Sequence, residues 1–427
     1  MSAFPASAET AVNFDGCPAE IQVAIAEYCS TRDVRSLCAT SKRLFAHCLP
    51  VLYRHVDLSF HNRGNLNFTY RRGTQMDYEF CDPSEIPIPT QTTPRGINIA
   101  FELYNRFERM SSTQPKQAKF LKTMLAHPEY APYVRSLSWT LLSWNHELPI
   151  SIQLKEGIQQ QMKQVWNVLG TLHNVKTLDL AYLSNHLNTD LSRQCPAVLF
   201  FNATSIRLQG MMEHYLATSI LHSIDPAKLT HLCLDNLYDC GRKGPFVRYD
   251  GQWHADNEEV GRGSYLVDQG RQAPGPMSGL LGELEGRCTA LKSLTLRTKL
   301  DWYEQSNPFA LRDNTVYAEW AHFLQSVRNT LECFQFEQRP KVVSPQRVSA
   351  SPSSNVVFLN VFYLDLDFLE TIFQVLLQVG DWPRLKALNL KGVGPFSHNT
   401  EVGEQMRRKL RAKIGWGMLV DFNVMTF

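Results

Sequence analysis

One apolar pattern recurs along most of this chain and limits its fold more than any other feature. The pattern is apolar, two variable residues, apolar, one variable residue, apolar, which suits a short strand with one buried face. It occurs at Tyr53/Val56/Leu58, Val134/Leu137/Trp139, Val175/Leu178/Leu180, Ala203/Ile206/Leu208 and Leu229/Leu232/Leu234. It continues at Leu291/Leu294/Leu296, Leu331/Phe334/Phe336, Val356/Leu359/Val361, Leu385/Leu388/Leu390 and Leu419/Phe422/Val424. Three matches are nearly the same phrase: VKTLDL, LKSLTL and LKALNL.

Amphipathic stretches precede several of these strands. Ile158, Met162, Val165, Trp166, Leu169 and Leu172 form one helical stripe, and Tyr317, Trp320, Leu324 and Val327 form another. Leu366, Leu369, Phe373, Leu376 and Leu377 form a third. A helix and strand of this kind cannot bury their apolar faces alone, but stacked pairs share one continuous core. Several spacings between strands fall near the roughly 20 to 29 residues of a leucine-rich repeat, and the longer ones hold insertions. The expected fold class is therefore α/β. Residues 116–427 form an irregular leucine-rich-repeat-like solenoid, with a parallel sheet on the concave side and helices outside. An ordinary α/β domain is the competing reading, because a three-position template also matches by chance when 44% of residues are apolar.

Three segments interrupt the pattern. Residues 59–115 are a polar, Pro-rich connection, residues 240–288 hold 10 of the 23 glycines, and residues 337–355 are rich in Ser and Pro. The last two are expected as long insertions.

Charge and cysteine content narrow the function. With 43 Lys+Arg against 41 Asp+Glu the chain carries +2, which gives no footprint for nucleic acid. No apolar run reaches the length of about 18 residues needed to span a membrane. The first 31 residues contain no Lys or Arg, unlike a secretory or mitochondrial leader, so a cytoplasmic or nuclear location is expected. None of the 10 cysteines forms a Cys-x-x-Cys pair, so metal sites and disulfides are not expected. The cysteines read as small buried hydrophobes in a reducing compartment.

Residues 1–13 are small and polar and read as a disordered tail, and three short helices follow within residues 14–58. Pro18 opens the first, with Ile21, Ala24, Ile25 and Tyr28 at helical spacing. Ser30 or Thr31 caps the second, which carries Val34, Leu37 and Cys38 on one face. The third contains Leu44, Phe45, Cys48 and Leu49, with Pro50 expected to end or kink it. So small a bundle leans on a partner or on the rest of the chain.

The text CPAEIQVAIAEYCSTRDVRSLCATSKRLFAHCLPVLYRHVDL resembles the fungal form of the F-box. The residues that carry the resemblance are Pro18, Glu20, Ile21, Ile25, Tyr28, Asp33, Val34, Leu37, Ser41, Lys42, Arg43, Leu44, Pro50, Leu52, Tyr53, Arg54 and Val56. Cys17, Cys29, Cys38 and Cys48 depart from it, standing where that family usually has Leu. Each such change removes on the order of 1 kcal/mol of packing or interface energy.

The resemblance implies a substrate-recognition subunit of a Skp/cullin/F-box type ubiquitin ligase. The helical unit would bind the Skp adaptor, and through it a cullin, by way of Cys17, Pro18, Ile21, Ile25, Val34 and Leu37, as contacts or their immediate support. The solenoid would hold a protein substrate. Such a chain needs no catalytic residue and no cofactor, because it acts by bringing reactants together. The alternative is a non-catalytic scaffold whose cysteine-substituted F-box no longer recruits the cullin machinery.

Enzyme signatures are sparse. Gly241, Gly244, Gly261 and Gly263 form neither phosphate-binding glycine motif, and no GxSxG or HExxH occurs. His254, Asp256 and Glu258 read as a solvated stretch rather than a metal or acid/base cluster. Arg407, Arg408, Lys409, Arg411 and Lys413 read as the wet face of a helix whose other side carries Val402, Met406, Leu410 and Ile414, with acidic-peptide binding as the sharper alternative.

Overall fold

A computed structural model describes residues 14–59, 61, 115–143, 163–184, 196–212, 214–239, 275–299, 310–339, 368–378 and 382–391, together with 405, 408–410, 412 and 419–423. Three helices come first: α1 (Ala19–Tyr28), α2 (Thr31–Thr40) and α3 (Lys42–Arg54). Side chains start two of them. Ser30 Oγ accepts from Asp33 N at 3.3 Å, and Ser41 Oγ accepts from Leu44 N at 3.0 Å. Pro18 is the N-cap of α1, one position earlier than the sequence suggests.

Helix α3 does not stop at Pro50 but continues to Arg54. Proline removes one backbone donor, yet buried Leu49 and the packing of Val51, Leu52 and Tyr53 against the two cores hold the last turn in place. Tyr53, expected in a strand, therefore lies in α3. The chain passes from Arg54 straight into β1 (His55–Leu58).

The remaining elements build one sheet. Its strands are β1, β2 (Ser136–Ser143), β3 (Thr177–Ser184), β4 (Ser205–Met212), β5 (His231–Asp239), β6 (Gly275–Pro276), β7 (Ser293–Lys299), β8 (Cys333–Arg339), β9 (Ala387–Lys391) and β10 (Leu419–Asn423). Nine strands pair in parallel and in chain order, and the short β6 lies antiparallel on β5. Helices at 115–126 (α4) and 163–171 (α5), with α6 (His214–Ser223), α7 (Ala310–Val327) and α8 (Ile372–Gln378), connect strands. The class is α/β with a parallel sheet, as expected.

The register explains the repeated phrases. Leu137, Leu178, Ile206, Leu232, Leu294, Phe334 and Leu388 form one row across the sheet, and Trp139, Leu180, Leu208, Leu234, Leu296, Phe336 and Leu390 form the next. All of these side chains are buried in a single core with Val165, Trp166, Leu169, Tyr317, Trp320, Leu324 and Phe373 from the helices. Burying each is worth about 1.5–3 kcal/mol.

The turns before the strands stack as well. Arg135 N donates to Arg54 O at 2.9 Å, Lys176 N to Arg135 O at 2.7 Å and Thr204 N to Lys176 O at 2.9 Å. The column continues through Thr230, Lys292 and Glu332 to Lys386, so the units that lead into β2 through β5 and β7 through β9 are each bonded to their predecessor before the strand begins.

Three sequence expectations change. Residues 275–288, taken as part of an insertion, pack Met277, Leu280, Leu281, Leu284 and Cys288 into the core. Glycine content obscured those apolar positions. Residues 337–339 extend β8, with Glu337 and Gln338 buried. Ser59 and His61, at the start of the expected connection, are also buried, because His61 hydrogen-bonds across β2 and β3. The Val356/Leu359/Val361 repeat lies outside the described residues. The tail at 1–13, most of 59–115 and 240–288, Cys195, and the His254/Asp256/Glu258 stretch also lie outside the described residues. In the basic run, Arg408 and Lys409 are exposed while Leu410 is buried, as a wet helix face requires.

Candidate functional site

Two surfaces stand out, and the first is on α1. Its expected apolar stripe faces outward, not into the bundle. Ile21 and Ile25 are exposed and Tyr28 is 94% exposed, one turn apart along the helix. The inward positions are Gln22 and Ala26, both fully buried.

Gln22 accounts for this inversion. Its Nε2 donates to Phe14 O at 3.0 Å and to Asp15 O at 3.1 Å, while its Oε1 accepts from His47 Nδ1 at 2.6 Å. An amide satisfied on both ends is inexpensive to bury. Ala26, Val34, Leu44 and Cys48 supply the small apolar core beside it.

The residues singled out from the sequence therefore divide. Pro18, Ile21 and Ile25 are exposed and Cys17 is half-buried, its carbonyl accepting from Arg43 Nη2 at 3.2 Å. Val34 is buried in the bundle core, so it supports the surface without forming part of it. Leu37 is half-buried and packs on that same core. Cys48, fully buried, also belongs to the interior, whereas Tyr28 joins the exposed stripe.

The second surface is the face of the sheet opposite the leucines. Its charges alternate across neighbouring strands. His61 Nε2 donates to Asp179 Oδ1 at 3.0 Å, and Asp179 Oδ2 lies 3.6 Å from Arg207 Nη1. Arg207 Nη2 donates to Asp235 Oδ2 at 2.7 Å, and Arg297 Nη1 donates to the same oxygen at 2.9 Å. Glu337 Oε2 then sits 3.0 Å from Arg297 Nε. The carboxylates of Asp235 and Glu337 are sunk, at 5% and 4% exposure, while the Arg207 and Arg297 side chains rise to 30% and 22%.

No family model and no curated protein matches this chain.

Burial pushes the Cys233 thiol up to about 12, with Asp235 adding to the effect, and pushes Cys288 up to about 11. At pH 8 a thiol three units below its pKa is ionised about once per thousand molecules, so neither side chain is a ready nucleophile. Alkylation by iodoacetamide at pH 8 should accordingly leave Cys233 and Cys288 unmodified in the native protein and label both in urea, as read by mass spectrometry. Native labelling within minutes at either residue would contradict that burial. Among the described residues, no group of three His, Cys, Asp or Glu side chains is placed to hold a metal ion, and no helix is long and apolar enough to cross a membrane.

The ion ladder was not identified from the sequence. A signal existed in two outward positions of the repeats: Asp179 and Arg207, each between two apolar residues, lie opposite each other, and Asp235, Arg297, Glu337 and Lys391, each just after a repeat, become one row once the strands are paired.

Proposed function

We propose that this chain is the substrate-recognition subunit of a Skp/cullin/F-box type ubiquitin ligase. The observation that carries the reading is the outward apolar stripe of α1, Ile21, Ile25 and Tyr28, kept outside by the buried amide of Gln22. An apolar helix face turned to solvent is unfavourable unless a partner covers it. The F-box resemblance names that partner as the Skp adaptor, which in turn holds a cullin.

In this reading the remainder is an irregular leucine-rich-repeat-like solenoid, supported by strands that pair in chain order and by the stacked turns that precede them. Its polar face receives a protein substrate. The chain contributes proximity, holding a substrate lysine near a charged conjugating enzyme borne elsewhere in the assembly. Proximity benefits from a stiff connection between the two surfaces. Helix α3 enters β1 with no linker, and the rings of Tyr53 and Tyr130 pack 5.5 Å apart across the junction.

The test is co-purification with the Skp adaptor, comparing wild type with Ile21→Asp/Ile25→Asp and checking helicity by circular dichroism. Each isoleucine buried at an interface is worth about 1.5–3 kcal/mol, so the folded variant should lose more than about a hundredfold in affinity. Equal binding by both proteins would remove α1 as the docking face. No adaptor binding by a folded wild type would overturn the ligase reading in favour of a scaffold with a degenerate F-box.

A further inference from the structure

The polar face of the sheet carries a second kind of information, about what it receives. Asp235 on β5 draws Arg207 from β4 and Arg297 from β7 onto a single carboxylate oxygen, so two guanidinium groups converge over the central strand. Because the carboxylates lie deeper than the guanidiniums, the outermost layer here is cationic. Among the described residues no partner reaches Arg297 Nη2, leaving its N–H groups able to donate to a further carboxylate oxygen.

Beside this pair lie buried acceptors. Gln209, only 2% exposed, lies opposite Asp235 in register, and its Oε1 has no hydrogen-bond partner among the described residues. The same holds for Asn236 Oδ1 and, further along the sheet on β9, beyond β7 and β8, for Asn389 Oδ1. Asn236 Nδ2 donates to Asp235 Oδ1 at 2.9 Å, which fixes the other atom of that amide as the carbonyl oxygen. The strand is irregular at this point. Asn236 has φ 52° and the β4–β5 register shifts between Gln209 and Met211, so two consecutive polar side chains, Asp235 and Asn236, meet on the same side.

Buried acceptors without donors suit a ligand that brings N–H groups, and the outer N–H groups of Arg297, already ion-paired on its inner side, suit one that also brings an anionic oxygen. A peptide in extended conformation with acidic side chains brings both. We propose that this face, between β4 and β9, binds an extended protein segment whose Glu or Asp carboxylate sits on Arg207 and Arg297 while its backbone N–H groups meet the free amide oxygens. The assignment names the class of segment that the proposed receptor takes, and it rests on that reading only for its biological use.

The test uses the full chain without adaptor, so that failure here and failure of adaptor docking are separate results. Fluorescence anisotropy would follow a short, end-blocked, labelled peptide alternating Glu and Ser, whose Glu side chains share one side in an extended chain. Its counterpart has Gln at every Glu. The Glu peptide should bind and weaken as salt is raised, and the Gln peptide should bind at least about tenfold more weakly. Arg297→Lys keeps a cation beside Asp235 and Glu337 but removes the outer Nη2 donors, and should cost about tenfold with circular dichroism unchanged. Lys386→Gln, outside the face, should change nothing.

Equal affinity for the Glu and Gln peptides, or no saturable binding of either, would overturn the proposal. So would full affinity in folded Arg297→Lys, or binding of a phosphoserine version where the Glu peptide fails. Should Arg297→Lys not fold, the comparison of Glu with Gln on wild type decides alone.

Discussion

Replacing Leu294 by Asp is expected to abolish the cooperative unfolding transition of the sheet and its helices. Leu294 is fully buried at the middle of the sheet, flanked in register by Leu232 and Phe334. Losing the leucine alone would cost about 2–5 kcal/mol through lost burial and the space left behind. A carboxylate in its place finds apolar neighbours on both strands and adds the desolvation penalty of an unpaired polar or charged group, another several kcal/mol. The total approaches the whole stability of an ordinary domain, about 5–15 kcal/mol. Stacked units share their core with both neighbours, so the damage spreads along the sheet instead of staying in one unit. Urea unfolding followed by tryptophan fluorescence and circular dichroism measures this directly. A transition unchanged in midpoint and slope would count against the single continuous core.

That core was legible because its signal is local. Three apolar positions within six residues mark each strand, and four of the helix residues read from spacing alone, Tyr317, Trp320, Leu324 and Val327, are all buried. The orientation of α1 was not legible for the opposite reason. Apolar spacing says that Ile21, Ile25 and Tyr28 share a face but not which way it points. What turns it outward is Gln22, whose partners Phe14, Asp15 and His47 come from before α1 and from α3. Val34 and Leu37 showed the same ambiguity, since an apolar residue on a short helix serves equally as core or as contact. The charged ladder needs still more information. Arg207, Asp235 and Arg297 lie far apart in the chain and become neighbours only through strand pairing, with the long segment between β5 and β7 hiding the last of those pairings from a reading of spacing.

Asp235→Asn should destabilise the folded chain by about 3–5 kcal/mol, although it preserves shape and sits on the side of the sheet away from the leucines. The carboxylate receives a hydrogen bond from each of two arginines and holds their charges together in a half-buried layer. Neutralising it leaves two like charges converging with only Asp179 and Glu337 at the flanks. The cost arises from the cations left behind more than from any large net benefit of the ladder. Buried ion networks often do no better than apolar replacements of similar volume, and breaking one member is what is costly. Replacing the buried group together, Asp235→Asn with Arg207→Met, Arg297→Met and Glu337→Gln, should therefore recover part of the loss in urea unfolding even as it removes the proposed seat for an acidic segment. A quadruple variant that regains stability but no longer binds the Glu peptide would separate the two roles of these residues. If Asp235→Asn alone shifts unfolding by less than about 0.5 kcal/mol, in the range of an ordinary surface change, the ladder is not a structural element of the sheet.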